Sequence, residues 1–178
     1  MNVLIAYGTT EGQTRKIAET AAAHLRGAGH EVALYDTADP GPPVELGGFD
    51  ASVIAASVHQ EQHQPVVKRF AAAHCQSLNA MPSAFLSVSL SAALEETRGE
   101  AQAYVDRFLA VTGWQPAMTL LLGGALRFTE YDFFQEQIVK FIVMKRGVVS
   151  ETESDREFTD WGALSGFLDA FLKTAEAR

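Results

Sequence analysis

Short apolar runs alternate with helix-like patterns along most of the chain. The five runs span 2–7, 31–35, 51–57, 83–89 and 117–123. The helix-like patterns span 13–28, 64–79, 97–113, 131–146 and 160–175. Runs this continuous are typical of strands that helices cover on both faces of a sheet. Because strands that alternate with helices are joined by crossover connections, the pattern predicts an α/β fold with a doubly wound parallel sheet.

Length and charge limit the function classes. The 178 residues suit a single domain over 1–178. Lys and Arg total 14 against 22 Asp and Glu, a net charge of -8, which argues against nucleic acid as the main partner because phosphate contacts need a basic surface. No apolar run approaches the ~20 residues that span a bilayer, and no signal peptide precedes the first strand. With a single cysteine, the chain is expected in the cytoplasm.

The pattern at 131–146 predicts an additional helix. A sheet of this kind needs one helix after its last strand, and the pattern at 160–175 provides it. Apolar residues such as Tyr131, Phe134 and Ile138 recur at helical spacing on one face of the additional helix. That face must pack on the domain, on a second subunit or at a membrane surface, and the sequence leaves these alternatives open.

The stretch "YGTTEGQT" at 7–14 connects the first strand to the first helix. A helix that begins near Gly12 presents unpaired amides and a partial positive charge, which favour an anion such as phosphate. The threonines of the stretch add hydroxyl donors. No dinucleotide or triphosphate fingerprint is present, so the pattern favours a bound monophosphate. The alternative is that Thr10 only caps the helix.

The stretch "IAYGTTEGQTRKIAE" resembles the phosphate loop of flavodoxins. That resemblance implies a five-stranded parallel sheet in the order 2-1-3-4-5, with flavin mononucleotide (FMN) as the cofactor. It also implies a flavin ring at the carboxyl ends of strands three and four, where open α/β sheets bind ligands.

Two further stretches are similar to the flavodoxin-like menaquinone-dependent protoporphyrinogen IX dehydrogenases. They are "LNAMPSAFLSVSLSA" at 78–92 and "GGALRFTEYDFFQEQIVKFIVMK" at 123–145, and "FTDW" follows at 158–161. The family implies oxidation of protoporphyrinogen IX by bound FMN, with electrons passed to a quinone. The alternative is a flavodoxin-type electron carrier that docks a redox partner protein and has no porphyrin substrate of its own.

One loop departs from the family pattern. After the third strand, "ASVHQEQHQ" at 56–64 has His59, Gln60 and Glu61 where an aromatic platform for the flavin ring is expected. His59 and His63 could assist proton movement, although histidines in surface loops often have no such role. They lack an obvious third ligand, so no metal site is predicted.

The resemblance also assigns the site residues. His59 and Arg127 are the candidate catalytic residues, and Arg127 is the candidate for gripping a substrate carboxylate. The helix at 131–145 is the candidate for a peripheral contact with the inner face of the cell membrane. The candidate FMN-binding residues are Thr9, Thr10, Gly12, Gln13, Thr14, Ser57, Val58, His59, Ser87, Val88, Ser89, Leu90, Gly123, Gly124, Ala125 and Leu126.

Overall fold

The computed structural model describes residues 1–126 and 156–177. Its strands are β1 (Asn2–Gly8), β2 (Glu31–Asp36), β3 (Ala51–His59), β4 (Gln62–His63), β5 (Ser83–Ser89), β6 (Met118–Gly123), β7 (Ala125–Leu126) and β8 (Arg156–Glu157). Its α-helices are α1 (Gln13–Gly27), α2 (Pro65–Ala73), α3 (Cys75–Ala80), α4 (Arg98–Thr112) and α5 (Trp161–Glu176). Each predicted strand is present to within two residues at either end. The predicted helix at 131–146 lies outside the described residues, and the single-domain boundary remains a prediction.

The main sheet has the strand order β2-β1-β3-β5-β6, and all of these neighbours are parallel. Counted among the parallel strands, this is the predicted order 2-1-3-4-5. The sequence did not predict β4, which pairs antiparallel with the end of β3. The chain reverses there through Gln60 and Glu61, both with positive φ, which is the geometry of a two-residue hairpin turn.

Helices cover the two faces of the sheet in separate groups. On one face α1 and α5 pack on alternate residues of β1, such as Val3 and Ile5. On the other face α2, α3 and α4 pack on Leu4 and Ala6 of the same strand. The core therefore lies in two layers, and every central strand is buried on both sides, as the continuous apolar runs predicted.

The predicted helix at 64–79 is two helices. His74, with φ -104° and ψ 13°, ends α2 and begins α3. The apolar periodicity of the sequence continues across His74 and therefore did not indicate this break. The connection at 36–48 forms only the short 3-10 turn Leu46–Gly48, and its prolines and glycines disfavour a longer helix.

The last part of the fold joins the edge of the sheet to α5. Strands β7 and β8 pair antiparallel, with Leu126 opposite Arg156. Asp160 caps α5 by accepting a hydrogen bond from the Ala163 amide at 2.8 Å, as aspartate commonly does at this position. Within residues 1–126 and 156–177, no helix is both long and apolar enough to cross a bilayer.

Candidate functional site

A cleft of about 200 Å³ opens at the carboxyl ends of β1, β3, β5 and β6. This is the edge where parallel α/β sheets bind their ligands. Its lining comes from the loops that follow these strands and from the first turns of α1 and α4. The lining residues are Thr9, Thr10, Glu11, Gln13, Thr14, Ser57, Val58, His59, Gln60, Glu61, Val88, Ser89, Leu90, Ser91, Thr97, Glu100, Tyr104, Gly124 and Ala125.

The loop before α1 arranges its hydroxyls as donors. Gly12 adopts a left-handed conformation, with φ 87°, immediately before the helix, which glycine does without steric cost. Its amide donates to Thr9 Oγ1 at 2.8 Å, and Gln64 Nε2 donates to Thr10 Oγ1 at 2.7 Å. Each threonine oxygen thus accepts a bond from the protein, and each hydroxyl keeps its own hydrogen to donate. The alternative role of Thr10 as a helix cap is wrong, because no side chain caps α1.

Two lining hydroxyls have no hydrogen-bond partner within the described residues. Thr14 is 1% exposed, and its Oγ1 is buried without a partner, as is Oγ of Ser57. A buried polar atom without a partner costs about 1–3 kcal/mol. Such atoms at the start of α1 and at the end of β3 are therefore suited to a polar ligand in the cleft.

The described lining carries acidic side chains and no lysine or arginine. The carboxylates are those of Glu11, Glu61 and Glu100. Since no described side-chain cation lines the cleft, a phosphate at the start of α1 would be held by backbone amides, hydroxyls and the helix dipole. The arrangement suits a ligand whose phosphate can be bound by neutral donors.

Most predicted cofactor residues line the cleft. Those that do are Thr9, Thr10, Gln13, Thr14, Ser57, Val58, His59, Val88, Ser89, Leu90, Gly124 and Ala125. The backbone of Leu126 belongs to β7, whereas Arg127 lies outside the described residues.

The structure places three predicted cofactor residues away from the cleft lining. The amide of Gly12 is bonded to Thr9 within the loop. The backbone of Gly123 packs so closely on Phe158 that a Cβ atom would collide with the Phe158 carbonyl. Ser87 is fully buried, and its hydroxyl lies 2.9 Å from His63 Nε2. None of these three residues belongs to the cleft lining.

The prediction of His63 as a surface-loop histidine is wrong. It is 3% exposed and packs against the rings of Phe85 and Phe108, with centroids 5.2 and 5.0 Å away. Burial, followed by the positive charges of Lys68 and Arg107, lowers the pKa of His63 to about 4. At neutral pH His63 is therefore an uncharged residue that ties β4 to β5, behind the cleft.

Sequence reasoning missed the contribution of α4. Thr97, Glu100 and Tyr104 line the cleft from the start of this helix. Tyr104 is half-buried and brings an aromatic ring to a site where the loop after β3 has none. The helical pattern at 97–113 began directly after the loop that follows the fourth parallel strand, so its first turns could have been assigned to the same edge.

A chain of hydrogen bonds fixes the start of α1 to the end of the sheet. Gln13 Nε2 donates to Thr159 Oγ1 at 2.9 Å, and Thr159 Oγ1 donates to the Gly123 carbonyl at 2.8 Å. Lys16 pairs with Glu157 at 2.6 Å. The phosphate loop and the segment before α5 are thereby held together beside the cleft.

Comparison with known proteins identifies the family. The Flavodoxin domain family matches residues 4–153. The protoporphyrinogen IX dehydrogenase [quinone] of Escherichia coli is 31% identical over 168 residues, which cover 94% of this chain and 92% of that protein. This chain belongs to the flavodoxin-like protoporphyrinogen IX dehydrogenase family.

Members of this family are found in distant organisms. The protein of the same name from Leishmania major is 31% identical over 173 residues, which cover 94% of this chain and 73% of that protein. Flavodoxin 1 from Bacillus cereus has a similar structure, with a TM-score of 0.53 and 18% identity over 83% of this chain and 99% of that one. This structural likeness confirms the fold.

The cofactor of this flavodoxin-domain chain is FMN. The residues present fit that cofactor. One cleft brings together the start of α1, the donor hydroxyls of Thr9 and Thr10, and the buried hydroxyl of Thr14, which has no partner among the described residues. These groups suit a single phosphate. The prediction of FMN is confirmed. The alternative of a simple electron carrier is not supported by the relatives, which are named as dehydrogenases.

Proposed function

We propose that this flavoprotein oxidises protoporphyrinogen IX and passes the electrons to a quinone. The similarity to the E. coli dehydrogenase carries the proposal, because it extends over 94% of this chain and 92% of that protein. The cleft described above supports it, since it brings the phosphate donors and an apolar wall together at the carboxyl edge of the sheet.

The chain contributes binding, orientation and proton transfer to this reaction. Bound FMN supplies the acceptor for a hydride. Thr9, Thr10 and Thr14 would hold its phosphate at the start of α1, and Val58 with Leu90 would exclude water from the ring region.

Removal of a hydride from the porphyrinogen also releases a proton. His59 is our candidate acceptor, because it lines the cleft at the end of β3 and a ring nitrogen of a neutral imidazole can accept a proton. Arg127 remains the candidate for binding a substrate carboxylate, on the strength of its position shortly after β7.

The reaction can be tested by anaerobic mixing of FMN-loaded protein with protoporphyrinogen IX. Formation of protoporphyrin removes three hydrides and three protons from protoporphyrinogen, so the protein is used in at least threefold excess. We expect three oxidised flavins to be reduced, seen as a fall in their absorbance, for each fluorescent protoporphyrin formed, and added quinone to restore the oxidised flavin. Flavin that stays oxidised under these conditions would refute the proposal.

The role of His59 can be tested separately in the same assay. We expect His59→Gln to lower kcat by about 10²-fold, the usual contribution of a general base, without loss of FMN. His24→Gln is the matched control, since His24 lies in the last turn of α1, is bonded to Asp169 of α5 and does not line the cleft.

The proposal includes contact with a membrane surface, where a lipid-soluble quinone resides. The segment 131–145 is the predicted contact, and it lies outside the described residues. Sedimentation with vesicles that contain anionic lipid tests this contact, and deletion of 131–145 should abolish it. A homo-oligomer and a redox partner protein remain further predictions; light scattering of the FMN-loaded protein tests the first of these.

A further inference from the structure

A second cavity of about 230 Å³ adjoins the FMN cleft. Glu61 and Tyr104 line both cavities, so a ligand that extends beyond the cleft past these two residues enters the second one. Its lining comes from β4, α2 and α4. The lining residues are Glu61, Gln62, His63, Lys68, Tyr104, Arg107, Phe108 and Val111.

The charge of the second cavity is opposite to that of the FMN cleft. Lys68 and Arg107 face Glu61, which leaves one net positive charge because buried His63 is neutral. The described lining of the cleft has three glutamates and no lysine or arginine. The chain as a whole carries a net charge of -8. The glutamates of the cleft therefore repel an anionic group near the flavin, whereas the lysine and arginine of the second cavity attract it.

Both cations are available for a ligand. Neither Lys68 nor Arg107 forms an ion pair with a carboxylate of the described residues. Lys68 is half-buried in the first turns of α2. Both side chains line the cavity, Lys68 from α2 and Arg107 from α4.

Beside these polar groups, the cavity wall carries apolar and aromatic side chains. Phe108 is 3% exposed, while Val111 is 65% exposed at the rim. The Arg107 guanidinium lies 5.9 Å from the centroid of the Tyr104 ring. A flat apolar molecule with a carboxylate at its edge would find an aromatic wall and two cations within the same space.

Arg107 also holds the turn that separates the two cavities. Its Nη1 donates to the Glu61 carbonyl at 3.3 Å. Gln60 and Glu61 have φ values of 49° and 62°, which are unfavourable for residues other than glycine, and such strain often marks a ligand site. This bond uses one of the five N–H donors of the Arg107 guanidinium.

We propose that the second cavity is a carboxylate subsite, in which Lys68 and Arg107 bind a carboxylate of the substrate whose reacting part lies in the FMN cleft. The proposal rests on the proposed function for the identity of that substrate, which carries aliphatic carboxylates on a flat apolar ring system.

The subsite can be tested by binding of oxidised protoporphyrin IX to the FMN-loaded protein. Its dimethyl ester, measured in the same detergent, lacks the two carboxylate charges. We expect Lys68→Gln to raise the Kd for the free acid about tenfold, the size of one charge-assisted hydrogen bond, and to leave the Kd for the ester unchanged. Arg107→Lys should retain more affinity than Arg107→Gln, since it keeps the charge. Lys173→Gln is the charge-matched control, because Lys173 lies exposed in the last turn of α5.

The outcomes separate this subsite from the proposed reaction. Equal Kd values for the free acid in wild type and in Lys68→Gln would overturn the subsite, and so would equal losses for acid and ester. Absence of dehydrogenation in the wild type would refute the proposed function, while the difference between acid and ester would still report the subsite. If the wild type binds neither compound, the subsite does not accept porphyrin carboxylates and the proposal fails.

Discussion

At the scale of single residues, the cleft holds hydroxyl groups that the protein itself does not satisfy. Thr14 Oγ1 is buried without a partner at the start of α1. Ser52 Oγ is also buried without a partner, but it lies near the amino end of β3, at the opposite edge of the sheet from the cleft. A comparison of these two residues separates the effect of a ligand from the effect of burial.

We expect Thr14→Val to weaken FMN binding about tenfold and to leave the cofactor-free protein equally stable or about 1 kcal/mol more stable. Valine keeps the shape of threonine and removes a hydroxyl that has no partner among the described residues and that we expect the phosphate to satisfy. Quenching of flavin fluorescence measures the affinity, and urea unfolding measures the stability. Ser52→Ala should raise or preserve stability in the same way without any change in affinity. A Thr14→Val protein that binds FMN normally would remove this hydroxyl from the phosphate site.

His63 should make the fold sensitive to acid. Burial, followed by the charges of Lys68 and Arg107, lowers its pKa to about 4 in the folded protein, against about 6.5 in the unfolded chain. Between these two pKa values the unfolded chain binds a proton at His63 and the folded protein does not. The free energy of unfolding therefore falls as the pH drops from about 6.5 to about 4. The slope from this one residue is at most about 1.4 kcal/mol per pH unit.

We expect His63→Gln to reduce this pH dependence, measured as the difference in free energy of unfolding between neutral and mildly acidic pH. Glutamine can still bond to Ser87 and does not titrate. The variant His24→Gln, at a half-buried position, serves as the comparison and should change the slope less than His63→Gln does. Identical slopes for His63→Gln and wild type would show that His63 is not the residue that senses acid.

At the scale of elements, the end of β1 and the start of α2 are in direct contact. A Cβ atom at Gly8 would collide with Gln64 Oε1 and Val67 Cγ2. Gln64 in turn donates to Thr10 of the phosphate loop. The position of α2 therefore determines the geometry of the loop that binds the phosphate.

We expect Gly8→Ala to destabilise the protein by about 1–3 kcal/mol, as overpacking of a close contact does, and to weaken FMN binding as well. Urea unfolding and a flavin titration measure the two effects. Gly27→Ala is the control, since a Cβ atom there meets nothing within 4 Å and alanine favours the helix. Should Gly8→Ala match Gly27→Ala in both measurements, the contact between β1 and α2 would not constrain the loop.

The elements that the sequence predicted are those with a periodic signal. Continuous apolar runs predicted each parallel strand, and the loop at 7–14 predicted the start of α1. The order of the strands in the sheet came only from the resemblance to flavodoxins. The break at His74 and the strand β4 were not predicted, because each depends on the dihedrals of one or two residues. The second cavity could not be predicted either, because it joins Lys68 of α2 to Arg107 of α4 through tertiary packing alone.

At the scale of the whole molecule, an acidic chain binds a cofactor that carries a phosphate. The net charge is -8, and no lysine or arginine lines the described part of the cleft. The long-range field therefore opposes the phosphate, while the neutral donors of the loop attract it at short range. Salt weakens the first effect far more than the second.

We expect the affinity for FMN to stay constant or to increase when the salt concentration is raised. Riboflavin, which lacks the phosphate, should bind much more weakly and show no salt dependence. Isothermal titration at low and high NaCl measures both ligands. Binding of FMN that weakens steadily with salt would indicate a cationic phosphate clamp and contradict this description.

The antiparallel pairing of Leu126 with Arg156 places the two ends of segment 127–155 side by side. A segment whose ends are neighbours can be gained or lost as a unit, because a short turn between β7 and β8 would close the same chain path with a smaller loss of chain entropy. The sheet and α5 would keep their connectivity after such an excision.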